Sequence, residues 1–437
     1  MHSVTQISRA LQMLLTTTAN DLAHETGFVR RASKLTGARF VQALVFGWLD
    51  APQATVQQLA QMAGTVGVAI SPQGLDQRFT PAAAQLLYRV LEAAVRHLVA
   101  REPVAIPLLQ RFDGVYLLDS STVLLPDELA DRWPGCGGGD GTGRHTAAAV
   151  KLQVQLDLVT GLLRGPVVQE GRAHDRAAPQ QTDFPRGALR LADLGYFRLE
   201  VFATLHERGC YWLSRLHALA QVFDAQGQEL PLVEWLATRR EPWLDLPVTL
   251  GGAQRLPARL LAVRVAPEVA AARRKRLHAE AQRKGRPVSL RRLALADWTL
   301  LVTNVPATLL SREEALVLVR ARWQIELLFK LWKDQGLLDE SRSTKPWRRL
   351  CEFYAKLLGL VLQHWLLVLS CWHHPDRSLR QAAQTVRRYV TTVALALPTA
   401  TRLAHILHQI QACLRVGCRI TKRQQAPSTY QLLLACP

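Results

Sequence analysis

A mixed α/β fold is predicted, and three observations carry the prediction. Residues 1 to about 105 show helix starts and stops with no strand-like alternation. From about 106 the texture changes to short apolar runs, some alternating with period two and bounded by turn residues. Beyond about 304, long apolar and amphipathic helical runs return. At 437 residues the chain exceeds one compact core, so roughly two to four domains are expected. Hydrophobic residues at 49% with 20% charged residues exclude a disordered chain.

The helical start is legible from its caps. Thr55-x-x-Gln58 forms a capping box before "VQQLAQMAG", with Gly64 as a natural stop. Ser71-Pro72 and Thr80-Pro81 each place a cap residue before a proline suited to the first helical position. "GVYLLDSSTVLLP" (Gly114 to Pro126) and "AAAVKLQVQLDLVTG" (Ala147 to Gly161) then read as strands, with "LLRGPVVQEG" as a third. "GALRLADLGYF" (Gly187 to Phe197) is a short apolar run ending in an acid. A helix from Leu199 to Gly209 and a strand "CYWLSRL" follow it. This succession is the element order of a ribonuclease-H-like core.

Strand-like "LPVTL", "RLPARLLAVRVAP" and "WTLLVTNVP" surround a basic stretch, 271–293. It holds Arg273, Arg274, Lys275, Arg276, Arg283, Lys284, Arg286, Arg291 and Arg292 against one acid, Glu280. A solvated helix face explains such a run as readily as a phosphate-tracking surface. Ser311-x-x-Glu314 is a second capping box, starting a long helix. The apolar run Leu357 to Trp372 contains Gln363 and His364 and reads as a buried core helix, too short to span a bilayer comfortably. After Asp376 there is no acid, while Arg377, Arg380, Arg387, Arg388, Arg402, Arg415, Arg419, Lys422 and Arg423 recur. The expected division is a helical domain (1–105), a ribonuclease-H-like core in two parts (106–216 and 304–375), a mainly β insertion (217–303) and a basic helical C-terminal region (376–437).

Lys and Arg total 54 against 35 acids, a net charge of +19 that favours a polyanionic partner, nucleic acid before an acidic membrane. An Arg-rich proteome would give the same surplus, so charge alone does not decide. The seven cysteines form no CxxC pair, which fits reduced cytoplasmic thiols. Cys413 and Cys418 with His373 and His374 match no familiar zinc spacing. The N-terminus shows no basic segment followed by an apolar one, so no signal peptide is expected.

Three acids stand out. Asp119 ends the first strand, Asp193 ends the fourth, and Glu326 lies in the long helix within "RARWQIELLFKLWK". In a ribonuclease-H-like fold the first and fourth strands are neighbours, so their acids converge and a helix can supply the third. Such a set binds two divalent ions, one activating water or a 3′-hydroxyl and one steadying the leaving oxygen; Mg²⁺ suits carboxylates of this kind. On the helix, Glu326 lies about 40° around from Arg322, with Lys333 about 20° from each, while Leu327, Leu328 and Leu331 point elsewhere. Cations so placed could neutralise charge on a scissile phosphate, although an i,i+4 ion pair explains part of the pattern unaided. Asp113 and Asp157 compete for the first place, but "RFDG" and "LDLVTG" read as turns.

The spacing Arg322-x3-Glu326-x6-Lys333 resembles the Tyr-Arg-Glu-Lys signature of DDE-class bacterial insertion-sequence transposases, the group that includes the transposon-five transposase. "LLDSST" and "LADLGYF" resemble that group's two aspartate motifs, and "WTLLVTNVP" its strand before the glutamate helix. The resemblance covers most of the chain. It implies cut-and-paste DNA transposition through a hairpin intermediate, by a synaptic homodimer acting with Mg²⁺ or Mn²⁺ on double-stranded DNA: the element's terminal inverted repeats and the target. By motif, Asp119, Asp193 and Glu326 are the implied metal triad. Arg322, Lys333 and Lys330 are the implied phosphate contacts, and Trp298 the implied base-stacking aromatic. No membrane role and a bacterial cytoplasmic location go with this. The signature's tyrosine position is Val319, so the phenol is missing. A hydrolysis-only nuclease and a non-catalytic DNA-binding descendant are the alternative readings.

Overall fold

The computed structural model describes residues 4–31, 33–137, 147–179, 181–283, 285–420 and 427–436. Most of the glycine-rich 135–143 run, Lys284, Lys422 and Arg423 lie outside these residues. Among the described residues nine strands form: β1 (Val115–Leu125), β2 (Ala148–Asp157), β3 (Leu163–Glu170), β4 (Leu189–Ala192), β5 (Tyr211–Arg215), β6 (Val222–Phe223), β7 (Trp243–Leu250), β8 (Leu256–Arg264) and β9 (Trp298–Thr303). Their order is β3-β2-β1-β4-β5-β9-β8-β7-β6. The described chain divides into two compact units. One comprises residues up to Ile106, Asp119–Ala173 and Gln324–Gln431; the other comprises Pro107–Leu118, His174–Trp323 and the residues from Leu432 on.

The first unit is mainly helical, with β2 and β3 as an antiparallel pair. The Thr55 hydroxyl accepts from Gln58 N and the Gln58 side chain accepts from Thr55 N at 2.8 Å, completing the expected capping box. Ser71 and Thr80 likewise cap helices that begin with Pro72 and Pro81. Gly64 is not the stop: it lies inside Val56–Thr65. The left-handed residue is Gly67 at φ 90°, where Val68 N reaches back to Ala63 O.

At the centre of this unit runs Pro346–Cys371, packed against helices Gly37–Asp50, Pro81–Val95 and Ala400–Gly417. Among the described residues it is the one helix long and apolar enough to cross a membrane, and its most apolar window is wholly buried in the protein. Several of its polar groups find partners inside the protein. Gln363 donates to Ala383 O, and His364 Nε2 lies 2.9 Å from Gly161 O. Burial drives the His364 pKa down to about 4, so this ring is neutral. Lys356 and Glu352 form a buried ion pair at 2.7 Å. Lys356 also donates to Leu337 O and Glu340 O, and Ser341 donates to Glu352. One buried pair thus fastens the turn after the glutamate helix, including Leu337 in its left-handed conformation.

In the second unit, Val115–Leu118 of β1 pair in parallel with Leu189–Ala192 of β4, and β4 pairs in parallel with β5. Helix Leu199–Glu207 makes the crossover, and Phe202 stacks on Trp212 at 4.4 Å. β9 pairs antiparallel with both β5 and β8, so the strands after residue 217 extend the same sheet. The segment expected to be mainly β also contains a 17-residue helix, Pro267–Arg283. Its alanines and arginines are strong helix formers and it contains no interior proline or glycine, so the basic stretch is helical. Ser311 and Glu314 form the second capping box, and Arg111 clasps the Glu314 carboxylate at 2.8 and 3.1 Å.

Replacing Lys356 with Ala should destabilise the protein by about 3–5 kcal/mol, because Glu352 is left buried and unpaired. The double replacement Lys356→Met with Glu352→Leu should cost much less, as read in urea unfolding. Burial pushes the Glu314 pKa up, but bonds from Arg111 and Ser311 outweigh it and hold the carboxyl below its usual value. A depressed pKa stabilises the fold above the unfolded value and is lost as pH falls through the folded one. The stability gap between the natural chain and Glu314→Gln should therefore be full at neutral pH and close as pH falls below 4.5.

Candidate active site

Leu118 and Ala192 are the last paired residues of β1 and β4. Asp119 and Asp193 follow them directly, so the β1–β4 pairing stops at these two acids; β4 ends there, whereas β1 runs on to Leu125, so Asp119 lies within its strand and not at the strand end expected from the sequence. Asp119 is half-buried, and its Oδ1 accepts from Ser120 N at 2.9 Å. Asp193 is exposed and opens the short Leu194–Tyr196 turn, with its main-chain carbonyl accepting from Tyr196 N. The competing acids are turn residues. Buried Asp157 accepts from Val159 N, Thr160 N and the Thr160 hydroxyl in the hairpin after β2. Asp113 N donates to Gly187 O at the far end of β1.

Beneath Asp193 lies Arg190, which sequence reading overlooked. It is 2% exposed, its guanidinium donates to Gln181 Oε1 and Tyr196 O, and it lies over the Phe202 ring. Burial lowers its pKa to about 10, still a cation at neutral pH. It binds the turn that begins at Asp193 to the strand that precedes it. An arginine at an alternate position of a strand otherwise made of Leu and Ala was the available signal.

The glutamate helix is less regular than expected. Arg312–Ala321 closes at Arg322, Trp323–Lys330 continues it, and Leu331–Gln335 forms a π-helical turn, a feature frequent at functional sites. Ile325, Leu328, Phe329 and Trp332 face inward. Trp323 and Leu327 are 48% and 38% exposed, and Lys330 is exposed beside them. Arg322, Glu326 and Lys333 run along the flank between these faces, each half-buried, as is Val319. Lys333 donates to Thr122 O of β1 at 3.2 Å and lies 3.9 Å from Asp339. Arg349 adds a second bond to β1, at Leu124 O.

Trp298 is buried in the hydrophobic core of the second unit, with the Arg264 guanidinium 4.5 Å from its ring centre. A stacking platform for a base needs an open face; in the same unit Trp243 is 48% exposed. Among the described residues, no group of three or more His, Cys, Asp and Glu side chains is gathered so as to hold a metal ion, and this includes the histidines and cysteines near residue 374. All seven cysteines are free.

A family model described as a transposase DDE domain matches residues 110–362, which takes in Asp119, Asp193 and the glutamate helix. The chain belongs to this family. The DDE transposase is 27% identical over 443 residues to the transposase for insertion sequence element IS231C of Bacillus thuringiensis subsp. berliner, covering 94% of this chain and 91% of the relative. It is 26% identical to the IS231B transposase of the same organism, over 78% and 75% of the two chains. It is also 24% identical to the IS1151 transposase of Clostridium perfringens, over 80% and 78%. The DDE transposase is thus an enzyme of the insertion-sequence class.

Trp298→Ala should destabilise the transposase by about 3–5 kcal/mol, the cost of emptying a large core site. A thermal melt reads this directly, and a variant with unchanged stability would show that the ring is not a core element.

Proposed function

We propose that this transposase performs metal-dependent cleavage and strand transfer of an insertion sequence by a cut-and-paste route through a hairpin, on a ribonuclease-H-like core. The observation that carries the reading is the β1–β4 register, in which the pairing of the two strands stops directly before Asp119 and Asp193. With Glu326 they form a set of hard oxygen donors of the kind Mg²⁺ or Mn²⁺ takes. Two bound ions would activate water or a 3′-hydroxyl and stabilise the leaving oxygen. Arg322, Lys330 and Lys333, on and beside the flank that carries Glu326, would contact the phosphate and offset its developing charge.

The spacing of Arg322, Glu326 and Lys333 supports the Tyr-Arg-Glu-Lys grouping with Val319 in the tyrosine's place. The partners proposed are double-stranded DNA, at terminal inverted repeats and target, and a second copy of the chain in a synaptic dimer within the bacterial cytoplasm. A base-stacking role for Trp298 would require its ring to leave the core. The missing phenol at Val319 is the one observation that favours a hydrolysis-only or DNA-binding descendant.

With Mg²⁺ and labelled element ends, cut ends and joined products are expected. Cut ends without joined product would point to a nuclease, and neither product with retained end binding to a non-catalytic descendant. Asp119→Ala, Asp193→Ala and Glu326→Ala should each abolish cleavage, by at least about 10³-fold, and leave end binding nearly intact. Cleavage surviving in any one of them would remove that residue from the triad.

A further inference from the structure

Helix Pro267–Arg283 buries a single residue, Ala270, among its 17. A helix with so little core contact contributes almost nothing to folding by burial, and a helix polar on nearly all sides calls for some other partner. Its inner side is fastened by charge. Arg273 donates to Ala296 O, Trp298 O and Thr299 Oγ1. Arg274 pairs with Asp297, and Arg292 of the following Leu290–Ala294 helix pairs with Glu280.

These anchors divide the basic stretch. Of its nine cations, Arg273, Arg274 and Arg292 are tied into the fold and Lys284 lies outside the described residues. The remaining five, Lys275, Arg276, Arg283, Arg286 and Arg291, are all exposed, and none makes an ion pair among the described residues. At about 100° per residue, Lys275, Arg276 and Arg283 share the side opposite Ala270, with the small Ala272 and Ala279 between them. The acid on that side is Glu268, in the first turn, where a carboxylate suits the helix dipole. A solvated face would carry cations interleaved with acids. This face carries cations on small residues, which let a helix lie close against a polyanion.

We propose that the outer face of Pro267–Arg283 is a DNA-backbone-binding arm, taking the phosphates of duplex DNA without reading its sequence. The inference rests on the proposed action on DNA and adds a surface on which duplex is held. No base-reading amide chemistry dominates this face, so affinity drawn from it is electrostatic and indifferent to sequence.

The test uses the full-length transposase and two labelled duplexes, one carrying an element end and one of random sequence. In the triple variant Lys275→Gln, Arg276→Gln, Arg283→Gln, the slope of log affinity against log salt should flatten by about 2–3, and affinity for both duplexes should fall at least about tenfold at moderate salt, by the same factor. Hydrogen exchange of the unaltered protein covers the case of a misfolded variant: amides of Pro267–Arg283 should exchange more slowly when random duplex is added. An unchanged slope in a folded variant, or unchanged exchange in DNA-saturated protein, overturns the arm. A larger loss for the element end than for random duplex overturns its sequence-independence. If the unaltered chain binds neither duplex, the proposed action on DNA falls as well; if it binds both but joins no ends, only the strand-transfer reading falls.

Discussion

The parallel backbone hydrogen bonds between Val115–Leu118 and Leu189–Ala192 are the constraint on which the functional reading depends. Both segments are buried on each face, so no polar/apolar alternation resists a slip. The register is set where the pairing begins. Asp113 N donates to Gly187 O, and Gly187 adopts φ 81° with its α-carbon so close that a Cβ would lie 2.3 Å from an Asp113 oxygen. Only glycine fits there. Asp113 acts at the start of the strand as a turn residue, and four paired residues later the strand delivers Asp119.

A net charge of +19 does not spread evenly over a surface. Arg377, in the acid-free C-terminal region, is 2% exposed; it donates to Trp372 O, His374 O and the Tyr430 hydroxyl and lies 3.8 Å from the Trp372 ring centre. Arg190, Arg259 and Arg273 also end on main-chain carbonyls. The planar fork of arginine can satisfy several carbonyls at once, so part of the cationic excess holds loops together. What remains outward is concentrated, as on Pro267–Arg283, and local concentration is what a polyanion responds to.

The elements whose signals are local were legible in the sequence. The Thr55 and Ser311 capping boxes, the first five strands and the buried character of Leu357–Trp372 follow from side-chain chemistry within a few residues. The misreadings share a cause. Gly64 and Gly67 both suit a helix end, and backbone conformation chose between them. Leu327 carries an apolar side chain on a helix whose buried arc is set by its neighbours, so hydrophobicity alone did not place it. Arg190 looked like an ordinary strand residue until Gln181 and Tyr196 O closed around it.

For the candidate site, the sequence by itself determined that Asp193 follows a short strand and which helix carries Glu326 with its cations. These depend on periodicity and spacing, which are properties of the chain read in order. The tertiary structure decided that β1 lies beside β4 in register, that Lys333 bonds to the carbonyl of Thr122, and which arginines hold the fold instead of facing outward. Those outcomes depend on contacts between residues tens to hundreds of positions apart, and no local signal encodes where such partners meet.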